Sequence, residues 1–526
     1  MTKRSGVFWI PALILVSALL GGMFNPRVGV AAAASDDEIK ESFRIFSKVL
    51  DKVEQNYADK VDAEAAIYRG AIPQMLAVLD PHSQFFDPES FKRLREDQRG
   101  KYAGVGMTIS TRNNQTVVVH PFPKTPAYRA GLRPGDIIVE VDGMKMDGLN
   151  TTEVANRLRG TEGTQVEIAY ERPGVEGLTR VTVTRDTIPR PSVPVAFEIR
   201  DNVGFVKVES FNETTGQELE DAIEKMGGDD SLEGLILDLR DNRGGLLSQG
   251  VRVSEKFLER GQMIVSHHGR ASSERPYKAQ RGSKGPAYPV VVMVNCHSAS
   301  ASEIVAGALQ DHDRALIIGN NTFGKGLVQT VIPVGDETAL ALTTARYYTP
   351  SGRLIQRRYD GVSMVEYYND PCSDHYKPNH DEVKTTDSGR KVFGGGGIAP
   401  DIVLSEQKLN DVQILLARRF AFENFAQHYT LERPNMAPGW EPSDEAIEEF
   451  REFLGKEEIE VSEADFTANL DFIKRFLKRA VYISAYDVDE GEKVYYALDP
   501  DVEKALEALP QAKALLDSQG SVVAQR

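Results

Sequence analysis

Residues 291 to 329 read VVMVNCHSASASEIVAGALQDHDRALIIGNNTFGKGLVQ. An apolar run stops at Ser298, Ala299, Ser300, Ala301 and Ser302, and helical composition begins at once over 301–310. A serine at a strand-to-helix turn presents its hydroxyl at the helix N-terminus, where unpaired backbone N–H groups can hold a developing oxyanion. That arrangement suits acyl transfer. Taken alone, Ser-Ala-Ser is an ordinary helix cap. A second apolar run, 315–319, adds chemistry because it ends in Thr322-Phe323-Gly324-Lys325-Gly326. The two glycines permit close backbone approach, and apolar neighbours can desolvate the amine. Desolvation lowers a lysine pKa, as a lysine general base requires. Gln329 would lie one turn from Lys325 in a helix, or near it across a bend.

The motifs SASASEIVAGALQD and TFGKGLVQ resemble those of the carboxyl-terminal processing peptidases, also called tail-specific proteases or the S41 serine peptidases, which use a Ser-Lys pair. The resemblance implies a nucleophile 25 residues before the motif lysine, which lands on Ser300. It also implies that Gln329 orients Lys325. The stretch GLILDLRDNRGGLL at 234–247 is similar to the family's oxyanion strand and loop, which implicates Gly244 or Gly245 together with Ala301. Arg243 stands where proline is usual, and Cys296-His297 replace less reactive residues. YYTPSGRLIQ, GGGIAPD and LDPHS belong to the same pattern. KYAGVGMTIS and PAYRAGLRPGDIIVEVDGMKM resemble a PDZ domain. There the backbone of Gly104, Val105, Gly106 and Met107 would receive a terminal carboxylate while the next strand pairs with the peptide, and Val154 and Leu158 would line the pocket for its last side chain.

The fold class that follows is multidomain α+β: an α/β crotonase-like or ClpP-like core with an inserted PDZ β-domain and helical N- and C-terminal regions. Apolar strands at 203–208, 235–239, 289–295 and 315–319 alternate with helical stretches at 218–226 and 301–310, the pattern of a layered βαβ domain. The expected divisions are 1–34, an export signal or membrane anchor; 35–99, helical; 100–186, PDZ; 187–407, the catalytic core; and 408–526, helical. Residues 358–396 read as a polar surface insertion. Ile39, Phe43, Phe46, Leu50, Val53 and Tyr57 form a helical seam that packs on this chain or on a partner's copy. A second helical stretch, 63–79, should be interrupted near Gly70 and Pro73.

The chain has 526 residues, 62 basic and 78 acidic, for a net charge of −16, which argues against a general nucleic-acid binder. Residues 441–526 carry 21 acidic and 10 basic side chains, so most of the excess lies in the tail. Lys3 and Arg4 precede an apolar stretch at 7–24 and small residues at 31–34. This is the layout of a secretory signal, with an uncleaved anchor as the alternative; either one exports the body, to a periplasm or the outer face of an inner membrane. Of the two cysteines, Cys296 reads as a buried free thiol and Cys372 as part of a polar loop.

The expected function is an exported serine endopeptidase that recognises protein C-terminal tails and processes or degrades envelope proteins. No cofactor or metal is expected. Partners are protein or peptide C-termini, with a second copy of the chain or an adaptor protein as further candidates. Three other readings compete: a Ser-His-Asp hydrolase using His297 or His312, a metal site at Cys372, His375 and His380 beside Asp370 and Asp374, and a PDZ scaffold without activity.

Overall fold

The computed structural model describes residues 36–523 apart from 113, 282–284, 336, 374–378, 406–407 and 434–435. The expected export segment, with Asp374 and His375 of the metal reading, lies outside these. Among the described residues no helix is long and apolar enough to cross a membrane. The chain divides into two units, Met1–Met75 and Leu76–Arg526.

In the first unit the helix Asp36–Asn56 carries the predicted seam, with Ile39, Phe43, Phe46 and Val53 all exposed. The interruption expected near Gly70 and Pro73 takes another form: Ala66–Ala71 winds as a π-helix between Ala63–Ala65 and Ile72–Ala77. A wider turn accommodates a proline without ending the helix.

The larger unit is built on a six-stranded sheet in the order Val195–Arg200, Val203–Lys207, Gly234–Asp238, Val290–Val294, Ala315–Gly319 and Ile402–Val403. The first pair is antiparallel and the rest are parallel. Parallel strands covered on both faces read as continuous apolar runs, and every residue of Val290–Val294 is buried. Val290, Val292 and Val294 face the helices Leu247–Phe257 and Ala301–Asp311. Val291 and Met293 face the other way, onto Val502, Ala505, Ala508 and Ala512 of the final helix, Pro500–Val523. A helix outside the recognised motifs therefore supplies half of the core's cover.

Part of the acidic tail is neutralised at the same junction. Asp238, with no exposed surface, pairs with Lys207 at 3.3 Å and with Arg240 at 2.7 Å. Burial opposes its ionisation, but Arg240 and Lys207 prevail and hold its pKa down at about 2. Arg240 also reaches Asp499 at 3.0 Å and Asp501 at 3.3 Å.

A second sheet runs Gln84–Phe86, Ala339–Tyr348, Met263–Gly269, Ser272–Lys278, with Leu327–Pro333 also paired to Ala339–Tyr348. The PDZ-like domain has Met107–Arg112 as an edge strand beside Gln115–Pro121, and the helix Thr151–Leu158 packs nearby. The remaining tail helices enclose their own aromatic core around Phe422, Phe425, Phe450 and Phe466. The segment 358–396 is more than a surface insertion, because Tyr367 within it is buried.

An Ala505→Asp substitution places an unpaired carboxylate between the final helix and the sheet. It is expected to cost roughly 3 kcal/mol or more, against under about 0.5 kcal/mol for the exposed control Glu507→Ala. Urea denaturation measures both, and equal midpoints would show that the helix is dispensable to the core.

Candidate active site

Three serines compete at the turn between Val290–Val294 and Ala301–Asp311, and packing separates them. Ser298 Oγ donates to the Leu239 carbonyl at 2.8 Å, and Ser302 Oγ to that of Asn242 at 2.8 Å. Both side chains are fully buried, whereas Ser300 is half-exposed. Ser300 also has φ +56°, in a region that costs a non-glycine residue roughly 1–3 kcal/mol. The strained turn lifts it out of the strand just before the helix begins, as at a nucleophile elbow.

Glu303, in the first helical turn, secures that turn to the lysine loop. Its carboxylate has no exposed surface and accepts four hydrogen bonds: from Ser300 N at 2.7 Å, Thr322 Oγ1 at 2.5 Å, Gly324 N at 2.7 Å and Lys325 N at 2.9 Å. Desolvation raises its pKa, and these donors partly offset the rise. Phe323 N bonds the Ser298 carbonyl at 2.9 Å, and the Tyr347 hydroxyl lies between the carbonyls of Ser300 and Lys325. Gly324 and Gly326 have the tight surroundings their sequence suggests: a methyl group at Gly324 would sit 3.0 Å from Gly397 N, and one at Gly326 would sit 2.9 Å from Gln356 N.

Lys325 is half-buried, and desolvation pushes its pKa below the usual lysine value despite the nearby charges of Glu303 and Asp80. Its Nζ donates to Gln329 Oε1 at 3.0 Å. Gln329 lies on the strand Leu327–Pro333, so strand geometry across the bend, and no helical turn, brings the two together. Gln329 Nε2 in turn donates to the carbonyl of His82. Among the described residues no hydrogen bond joins Lys325 Nζ directly to Ser300 Oγ.

The glycine loop approaches from the other side. A methyl group at Gly244 would stand 2.8 Å from Ser300 Cβ and 3.0 Å from Ala301 N. Gly244 N already donates to Asn242 Oδ1 at 2.8 Å, whereas Gly245 is exposed. Arg243, in the place of the usual proline, points to solvent and leaves this loop's fold intact.

Of the two histidines in the competing hydrolase reading, His312 is placed far from Ser300. It lies beyond the far end of the helix that follows Ser300, about 16 Å along its axis at 1.5 Å per residue. Both its ring nitrogens are engaged, one with Asp387 Oδ2 at 2.8 Å and the other with the Met263 carbonyl at 2.6 Å. His297 sits in one cluster with Cys296 and Cys372. Those two cysteines form a disulfide, which corrects the expected free thiol at Cys296. Cys372 is 76 residues away in a polar stretch, and only the folding of the insertion brings it to the strand end.

In the PDZ-like domain, Gly104, Val105, Gly106 and Met107 lead into the edge strand as expected. Val154 and Leu158 are buried in the domain's core, and neither is among the residues lining the adjoining cavity. The helix instead presents Thr151 and Ala155, four residues apart on one face, to a cavity of about 1110 Å³. Thr108 of the edge strand lines it too, and Phe476, Arg479 and Tyr495 of the tail helices form its opposite wall. Sequence reasoning passed over Glu303, although it stands inside the quoted motif, and it passed over the tail's part in this cavity.

Residues 202–363 match the model of peptidase family S41, and residues 117–172 match a PDZ domain. The carboxy-terminal-processing protease of Bartonella bacilliformis is 40% identical over 336 residues, covering 63% of this chain and 76% of that one. The carboxy-terminal processing protease CtpA of Bacillus subtilis is 34% identical over 367 residues, covering 68% and 76%. Among solved structures, the photosystem II D1 C-terminal processing protease is 31% identical, covers 69% of this chain and 92% of its own, and superposes with a TM-score of 0.35. A catalytic-core sheet, a PDZ domain and relatives matched over three quarters of their length place this chain in peptidase family S41, among the carboxy-terminal processing serine proteases.

Proposed function

We propose that the protein is an exported endopeptidase that takes protein substrates by their C-terminal tails and cleaves them with a Ser300–Lys325 pair. The observation that carries this reading is the Glu303 carboxylate, which binds the backbone of both residues and fixes one loop against the other. Neutral Lys325 removes the proton from Ser300 as its oxygen attacks the peptide carbonyl, and Gln329 holds the amine by its Oε1. The oxyanion forms beside the helix N-terminus. The amide of Ala301 and a glycine amide receive it, and the engagement of Gly244 N with Asn242 favours Gly245. The proton then passes from Lys325 to the leaving amine, and water repeats the cycle on the acyl-enzyme.

The tail of the substrate adds as a strand to the free edge of Met107–Arg112, within the cavity bounded by the PDZ helix and the tail helices. The basic and apolar composition of residues 3–24 supports export. The exposed seam of Asp36–Asn56 supports pairing with a second copy of the chain, since two such faces bury each other.

Ser300→Ala and Lys325→Ala are each expected to lower kcat by at least about 10³-fold on a peptide with an apolar C-terminus. Substantial turnover by either variant would return the case to a histidine base or a scaffold without activity. Because the reactive amine must be neutral and burial lowers its pKa, kcat/KM should rise with pH through a limb below the ordinary lysine value of 10.5. A limb at or above that value would argue against a desolvated lysine. Amidating the substrate's terminal carboxyl should weaken binding about tenfold or more, read by calorimetry with the Ser300→Ala protein; unchanged affinity would remove carboxylate capture.

A further inference from the structure

The segment 358–396 reaches the far side of the lysine loop. Its helix Met364–Asn369 holds Tyr367, whose hydroxyl is 3.0 Å from His82 Nε2, and Tyr368, whose hydroxyl is 2.9 Å from His82 Nδ1. Both ring nitrogens of His82 are thereby engaged, and its backbone carbonyl is the acceptor for Gln329 Nε2. Gln329 holds Lys325 Nζ by its other amide atom. A continuous chain of hydrogen bonds and one residue's backbone thus runs from the insertion to the amine.

A second path is steric. The Arg357 guanidinium lies 3.6 Å over the Phe323 ring and 4.0 Å over that of Tyr367, and it donates to the Tyr367 carbonyl. Arg357 N donates to the Gly324 carbonyl at 3.0 Å. Phe323 and Gly324 immediately precede Lys325, so this stack sets where the amine stands and how much water reaches it. The charged and titratable groups around Lys325 are Glu303, Asp80, His82 and Tyr347, with Arg357, Tyr367 and Tyr368 beside His82.

The helix that carries Tyr367 is only six residues long and has no stability of its own. Beyond the Tyr367, Tyr368 and Arg357 contacts, the Cys296–Cys372 disulfide, three residues past its end, ties it covalently to the strand end before Ser300. The other half of that bridge lies four residues before Ser300.

We propose that this insertion is a positioning element for Lys325, with Tyr367 acting through His82 and Gln329 and the Cys296–Cys372 bridge holding the element in place. The proposal rests on the Ser300–Lys325 reading above. Opening the bridge with a dithiol breaks the S–S bond. Two electrons and two protons pass to Cys296 and Cys372, and the dithiol closes to its own cyclic disulfide. The insertion then loosens, water reaches the amine, and less of the lysine is neutral at a given pH.

The test uses the full chain and a peptide with an apolar C-terminus, assayed oxidised and after dithiothreitol, with the two thiols counted by a chromogenic reagent. Reduction should lower kcat about tenfold with KM unchanged and move the low-pH limb of kcat/KM to higher pH by about half a unit or more. Tyr367→Phe, which keeps the ring and loses only the hydroxyl, should shift the limb in the same direction by less. The double variant Cys296→Ser, Cys372→Ser should match the reduced enzyme and ignore dithiothreitol. An enzyme with two titratable thiols whose kcat and limb stay where they were overturns the proposal, as does a Tyr367→Phe protein that gains or keeps both. Ser300→Ala measured alongside separates the two ideas. Activity surviving in it sinks the Ser-Lys reading, whereas an inactive Ser300→Ala beside an indifferent reduced enzyme sinks only the role of the insertion.

Discussion

A single buried carboxylate organises this site. Glu303 has no contact with solvent and is surrounded by four donors, three of them backbone amides, from two loops about 20 residues apart in sequence. Leaving so many buried N–H groups without an acceptor would cost several kcal/mol, and leaving the charge without donors would cost as much again. Each side therefore requires the other. Its place in the first helical turn adds the favourable end of the helix dipole. The strained backbone at Ser300 is tolerable because its own amide is one of those four donors.

The reach of that constraint explains the layout around it. The lysine loop is held on the Glu303 side by amides, on the insertion side by stacked Phe323, Arg357 and Tyr367, and beneath by the close approach of Gly397. The polar stretch of the sequence thus proves to carry one wall of the site. The acidic tail is similarly reassigned. Part of its charge, at Asp499 and Asp501, meets Arg240 at the end of a core strand, and its aromatic helices face the edge strand of the PDZ domain across a cavity.

Much of this was legible in the sequence wherever one residue type could do only one thing. Continuous apolar runs forecast strands covered on both faces, and the glycines around Lys325 forecast tight backbone approach. What escaped depended on partners distant in the chain. The apolar face of the final helix is readable from Val502, Leu506 and Leu509, but nothing local says that it packs, with Ala505, Ala508 and Ala512, on a sheet roughly 200 residues earlier. Cys372 lies in a stretch without periodicity, so nothing local announced its pairing with Cys296. Glu303 reads as an ordinary first-turn acid until the fold removes it from water. On the PDZ helix, spacing puts Val154 and Leu158 in the core and Thr151 and Ala155 toward the cavity, a distinction that depends on which face the neighbouring strands cover.

The helix Pro500–Val523 covers strands that precede it by roughly 200 residues, and this has a temporal consequence during synthesis. Until that helix emerges from the ribosome, the sheet that carries Ser300 has one apolar face open to water, while the PDZ-like domain, complete by about residue 186, can already fold. The final helix is therefore the last piece to complete the core, so the order of synthesis leaves the sheet that carries Ser300 unfinished after the PDZ-like domain is whole.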